Sequence, residues 1–104
     1  MSNIIIIAEI GQNHNGDISL AKEMIDMCAE AGADYAKFQL YDAKDLFSPI
    51  DNPWYEYNLK TEIKHNQFLE LNEYCENIGI KFMASVFDTK RLDWLIDANA
   101  DYVK

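Results

Sequence analysis

Apolar positions follow two rhythms along this chain. An unbroken run, Ile4-Ile5-Ile6-Ile7, lies in a predicted strand from Asn3 to Glu9. Continuous β-branched residues read as a strand buried on both faces, as in a parallel sheet. A helical rhythm follows. Leu20, Met24, Cys28 and Ala31, with Ala21 and Ile25 beside them, predict a helix from about Asp17 to Ala31. Asp17 is a good N-cap, and Gly32 suits the left-handed stop just past the helix. Period two returns from Asp34 to Leu40: Tyr35, Lys37 and Gln39 share one face, and Ala36, Phe38 and Leu40 the other. A long connection, Tyr41 to Lys60, carries Pro49, Pro53, Trp54 and three tyrosines. It reads either as a lid or binding loop or as an ordered surface excursion. A second helix is expected from about Thr61 to Asn77, with Phe68, Leu71, Cys75 and Ile78 as its apolar stripe, His65 on its polar side and Gly79 closing it. A third strand, Ile80 to Val86, precedes a helix from about Thr89 to Asp97, capped by Asp88 and burying Leu92, Leu95 and either Ile96 or Trp94. A fourth strand begins at Ala100 and runs to Lys104.

Strand and helix alternate throughout, which implies an α/β fold with a parallel sheet. No Gly-x-Gly-x-x-Gly or Walker-type loop occurs, so nucleotide-binding doubly wound folds lose weight. The remaining reading is the N-terminal portion of a TIM-type (β/α)8 barrel, about four strands and three helices. A whole barrel takes about 250 residues, and the chain has 104. One partial domain, 1–104, is therefore expected.

Composition narrows the function classes. A net charge of −9 disfavours nucleic acid, whose phosphates demand an excess of Lys and Arg. No apolar run approaches the roughly 20 residues that span a bilayer, and the amino terminus lacks a basic leader pattern. A cytoplasmic location is the expectation. Cys28 and Cys75 both fall within helical patterns and read as buried thiols rather than a disulfide or metal pair.

Candidate chemistry gathers where the first strand ends. Ala8-Glu9-Ile10-Gly11-Gln12-Asn13-His14-Asn15-Gly16-Asp17 passes abruptly from apolar strand to carboxylate and polar loop. Such strand ends are where α/β proteins place their sites. The plainer alternative is a βα turn built from Gly and Asn. Lys37 interrupts an otherwise apolar strand, so an anion or an acid must meet it. Glu9 on the neighbouring strand is one such partner, and the two readings are compatible.

Taken together, Ala8-Glu9-Ile10-Gly11, Asn13-His14-Asn15-Gly16, Ala31-Gly32-Ala33-Asp34 and Lys37-Phe38-Gln39 resemble the sialic acid synthase family. That family includes N-acetylneuraminate, legionaminate and pseudaminate synthases and the related spore-coat polysaccharide synthases. The resemblance covers the entire chain. It implies an enzyme, a transferase that condenses phosphoenolpyruvate with an N-acetylated amino sugar to a nine-carbon 2-keto acid and phosphate. It further implies a divalent metal (manganese or magnesium), a C-terminal antifreeze-like domain and a homodimer. By the same resemblance, Lys37, Ser85 and Lys104 bind phosphoenolpyruvate, Glu9 is catalytic and Phe87 faces the sugar. Asn13, His14, Asn15 and Gln39 are candidates for loop or site support.

Some features depart from the family pattern. Ser85-Val86-Phe87 stands where many members have Thr-Pro-Phe, and Gln12 replaces a common aliphatic residue. The family's metal-binding histidines belong to later strands, so no metal ligand is assigned in this chain. Two other readings therefore stand beside the synthase: a non-catalytic half-barrel that assembles with another chain, and a different phosphoenolpyruvate-dependent aldol-type barrel.

Overall fold

The computed structural model describes residues 4–46, 50 and 52–100. Its elements, in chain order, are β1 (Ile7–Gly11), α1 (Ile18–Glu30), β2 (Tyr35–Leu40), α2 (Ala43–Leu46), α3 (Tyr55–Thr61), α4 (His65–Ile78), β3 (Lys81–Val86) and α5 (Thr89–Asp97). The strands form one parallel sheet in the order β1-β2-β3. The expected fourth strand, and Lys104 with it, lies outside the described residues.

The alternation in β2 sorts its side chains as expected. Ala36, Phe38 and Leu40 are fully buried against the helix layer. Ala21 and Ile25 of α1 and Phe68, Leu71 and Cys75 of α4 complete that layer's core. Phe38 stacks on Phe82 at 5.0 Å between centroids, and Phe68 meets Phe82 edge-on at 5.2 Å. Outside this core, Lys22 pairs with Glu70 at 2.6 Å and the Tyr74 hydroxyl donates to Asp26 at 2.7 Å, tying α1 to α4. The helix ends obey local chemistry. Asp17 accepts from the backbone N–H groups of Ser19 and Leu20, Asp88 accepts from that of Arg91, and Gly79 closes α4 at φ +88°.

Three expectations need correction. The isoleucine run is not buried: Ile4, Ile5, Ile6 and Ile7 are 77%, 51%, 51% and 45% exposed. Pairing begins only at Ile7, and β1 has a single neighbouring strand among the described residues, with no described strand along its outer edge. The long connection after β2 holds two short helices, α2 and α3. The helix expected from Thr61 starts instead at His65. Thr61 ends α3, Glu62 is extended (φ −62°, ψ 130°), and the chain re-enters a helix after Lys64. Within α4 and α5 the outermost stripe positions, Ile78 and Ile96, are exposed, while Trp94 and Leu95 are buried.

Candidate active site at the strand ends

A bulge in β1 shapes the site. The pairing runs Ala8↔Ala36 and Glu9↔Lys37, then skips to Gly11↔Phe38. The extra residue, Ile10, turns into the core and is buried. Glu9 keeps the Lys37 face through regular in-register pairing, and the bulge begins after it, so that Gly11 rather than Ile10 comes opposite Phe38. Gly11 takes φ +58°, and the turn beyond it closes through Asn13 N–H to the Ile10 carbonyl at 3.0 Å.

On the face away from the helices, Lys37 Nζ donates to Glu9 Oε1 at 3.1 Å. The Lys37 side chain is only 12% exposed, whereas that of Glu9 is 53% exposed. The charge-bearing ends are thus unequal. The lysine is largely desolvated with one visible acid, and the acid can still turn to water or ligand. Met83 lies opposite Lys37 in the register, and the next row joins Gln39 to Ser85. Glu9, Lys37, Gln39 and Ser85 therefore belong to one strand-end surface.

Above this surface opens a cleft of about 750 Å³, lined by Gln12, Gln39, Tyr41, Asn52, Trp54, Tyr57, Asn58 and Phe87. Phe87 is half exposed and meets Tyr41 edge-on at 6.4 Å, as Trp54 meets Tyr57 at 6.3 Å. Aromatic walls with a few amides and hydroxyls suit a ligand that offers apolar faces and neutral hydrogen-bonding groups. Tyr41, Asn58 and Thr61 are buried polar residues beneath the rim. Burial pushes the Tyr41 phenol up, against the opposing pull of its hydrogen bonds with Thr61 and Gln12. It is a neutral hydrogen-bonding group at pH 7.

The polar loop residues divide. Asn13 and Asn15 are exposed, and Asn15 takes φ +54° as a turn residue. His14 is buried, its ring 5.9 Å from that of Phe38, so it sits by the helix-facing core rather than in the cleft. Its Nδ1 accepts from the Gly16 N–H at 3.0 Å, and Nε2 is buried with no hydrogen-bond partner among the described residues. Among the described residues, no three of His, Cys, Asp or Glu gather as a metal site. These residues do not fit a divalent metal.

Of the cleft residues of the α3 segment, Trp54 and Tyr57 stood out in the sequence only as part of an aromatic-rich connection, and Asn58 did not stand out at all. The available signal was the concentration of aromatic residues in a long connection. What that signal lacked was a partner, and Gln12 on a distant segment supplies it.

A parallel βα sheet with an ion pair and an aromatic cleft at its strand ends belongs to the class of α/β proteins that place their sites at those ends. Comparison with known proteins gives the particular family: residues 24–104 match the NeuB family, to which the chain belongs. It is 39% identical over 111 residues to human N-acetylneuraminate-9-phosphate synthase, covering 95% of this chain and 31% of that one. It is 35% identical over 112 residues to the N,N'-diacetyllegionaminic acid synthase of Legionella pneumophila, covering 95% of this chain and 32% of the relative. Among solved structures it superposes on the sialic acid synthetase of Leptospira borgpetersenii serovar Hardjo-bovis, crystallised with citrate. There the TM-score is 0.89 at 33% identity, over 98% of this chain and 35% of that one. The chain thus spans about a third of the length of these relatives. Its sheet is the N-terminal portion of a TIM-type barrel. No helix among the described residues is long and apolar enough to cross a membrane.

Proposed function

We propose that this chain supplies the first strand ends of a synthase that joins phosphoenolpyruvate to an N-acetylated amino sugar of the N-acetylmannosamine type. The observation that carries the reading is the Lys37–Glu9 pair, with a largely desolvated lysine and a half-exposed acid at 3.1 Å, set below an aromatic and amide-lined cleft. A lysine so placed is a prepared anion site. The phosphate or carboxylate of phosphoenolpyruvate replaces Glu9 as its partner, and Ser85 adds a hydroxyl in the adjoining row. Lys104 completes the anion contacts, and Phe87 with the α3 aromatics seats the sugar.

The reaction balances with these parts. C3 of phosphoenolpyruvate forms the new bond to the aldehyde carbon of the open-chain sugar, whose oxygen takes a proton. Positive charge develops at C2, water adds there, and the resulting adduct expels phosphate to leave the 2-keto acid. Released from Lys37, the Glu9 carboxylate faces the developing positive charge, the kind of electrostatic complement that lowers such barriers. The divalent metal, the homodimer and a cytoplasmic location belong to the whole protein in this proposal.

Incubating the full-length protein with phosphoenolpyruvate, the sugar and a divalent metal should release phosphate and form the 2-keto acid in equal amounts. Phosphate release that does not depend on the sugar, or no turnover with any N-acetylated amino sugar, overturns the reading. A chain that binds another polypeptide yet never turns over would favour the assembly alternative.

A further inference from the structure

Helix α3 is seven residues long and lacks a side-chain cap at its N-terminus. A helix this short does not hold itself together in water. Yet it carries Tyr57 and Asn58, a large part of the cleft wall, with Trp54 just ahead of it. Something outside the helix must fix it. The largest polar contribution comes from one atom. Gln12 Nε2 donates to the Tyr41 hydroxyl at 2.8 Å, to Asn58 Oδ1 at 2.9 Å and to Thr61 Oγ1 at 3.2 Å. These acceptors come from the end of β2 and from two positions of α3. An amide nitrogen has only two hydrogens, so the three acceptors share them. The cluster continues from the Tyr41 hydroxyl to Thr61 Oγ1 and to the Asn58 carbonyl, and the Tyr57 hydroxyl donates back to the Gln12 carbonyl at 3.4 Å.

The arrangement also orients Asn58. Its Oδ1 is engaged by Gln12, while its Nδ2 makes no hydrogen bond with the described residues. Asn58 lines the cleft, so the group it offers a ligand there is a donor. We propose that Gln12 is a positioning residue of this site: its amide latches α3 onto the loop after β1 and turns the Asn58 amide nitrogen toward an acceptor oxygen of the sugar. The inference rests on the cleft being the sugar seat.

Two variants of the full-length protein separate the two effects. Gln12→Leu removes the donor and should raise amide hydrogen exchange across α3 about tenfold, the equivalent of one lost hydrogen bond, with α4, β2 and β3 unchanged. The KM for the sugar should rise by a similar factor, and that for phosphoenolpyruvate should hold. Gln12→Glu keeps the shape. The Tyr41 and Thr61 hydroxyls can turn to donate to the new carboxylate, so α3 stays protected. Asn58 must then turn its nitrogen to the same carboxylate, and the cleft loses its donor. The sugar KM should therefore rise with exchange unaltered, a result available even if the leucine variant fails to fold. Unchanged α3 exchange in Gln12→Leu, or a wild-type sugar KM in Gln12→Glu, overturns the proposal. If the wild-type protein turns over no such sugar, the synthase reading fails instead, and the donor role of Asn58 falls with it.

Discussion

The backbone of Gly16 lies so close to Lys60 that a β-carbon built on the glycine would sit 2.1 Å from the lysine's carbonyl oxygen. The loop after β1 and the last turn of α3 thus touch backbone to backbone. Gly16 also has φ +79°, where a side chain is strained. Gly32 has a similar φ of +87° but open space around it. Gly32→Ala should therefore cost only the backbone strain, about 1–2 kcal/mol. Gly16→Ala should cost that and the displacement of α3, together about 2–4 kcal/mol. Urea unfolding of both variants checks this. Equal losses would show that the Lys60 contact carries no weight.

Lys37 is expected to act on the anion. Lys37→Ala in the full-length protein should raise the KM for phosphoenolpyruvate about tenfold or more, the scale of one charged hydrogen bond, with a smaller change for the sugar. Varying each substrate separately in steady-state kinetics reads the difference. An unchanged response to phosphoenolpyruvate would remove Lys37 from the site.

His14 links stability to pH. Burial lowers its pKa below the usual 6.5. The unfolded chain then binds the proton more readily than the folded one, so unfolding free energy falls as pH drops below about 6.5 and the loss is complete below the folded pKa. Geometry gives the same sign, since a proton on Nδ1 would end the bond from the Gly16 N–H. Wild type should lose more stability between pH 7 and pH 5.5 than His14→Gln. Parallel curves for the two proteins would contradict the assignment.

The exposed isoleucines should make the 104-residue chain associate. Ile4 to Ile7 are all nearly half or more exposed, beside a strand edge with no neighbour among the described residues. Uncovered apolar edges of this kind recruit partners. Sedimentation should show concentration-dependent association, reduced by Ile5→Lys combined with Ile7→Lys. A monomer at every concentration would count against it.

Much of the scaffold was legible because it depends on local rules. Period-two alternation placed Lys37 and Gln39 opposite Phe38 and Leu40 without reference to any other segment. Asp17, Asp88, Gly32 and Gly79 marked helix ends through their own backbone and side-chain chemistry. The errors arose where burial depends on a neighbour. Four isoleucines in a row describe a strand buried on both faces, yet among the described residues only Ile7 of the four lies in a paired strand. Glu62 broke a helical pattern that reads continuously from Thr61, because the segment serves two helices that face different partners.

The parallel α/β order, the polar strand end after Ala8 and the lone lysine on an apolar strand are all readable from the residues alone. These follow from periodicity and from the cost of burying charge. The tertiary structure set the register that brings the Glu9 and Lys37 side chains, partners the residues themselves suggest, to 3.1 Å, with Glu9 opposite Lys37 just ahead of the bulge at Ile10. It alone brought Gln12 to Asn58 and Thr61, 46 and 49 positions away. Such contacts are fixed by chain packing at long sequence separation, and no local pattern encodes which distant hydroxyl or amide an exposed-looking glutamine will find.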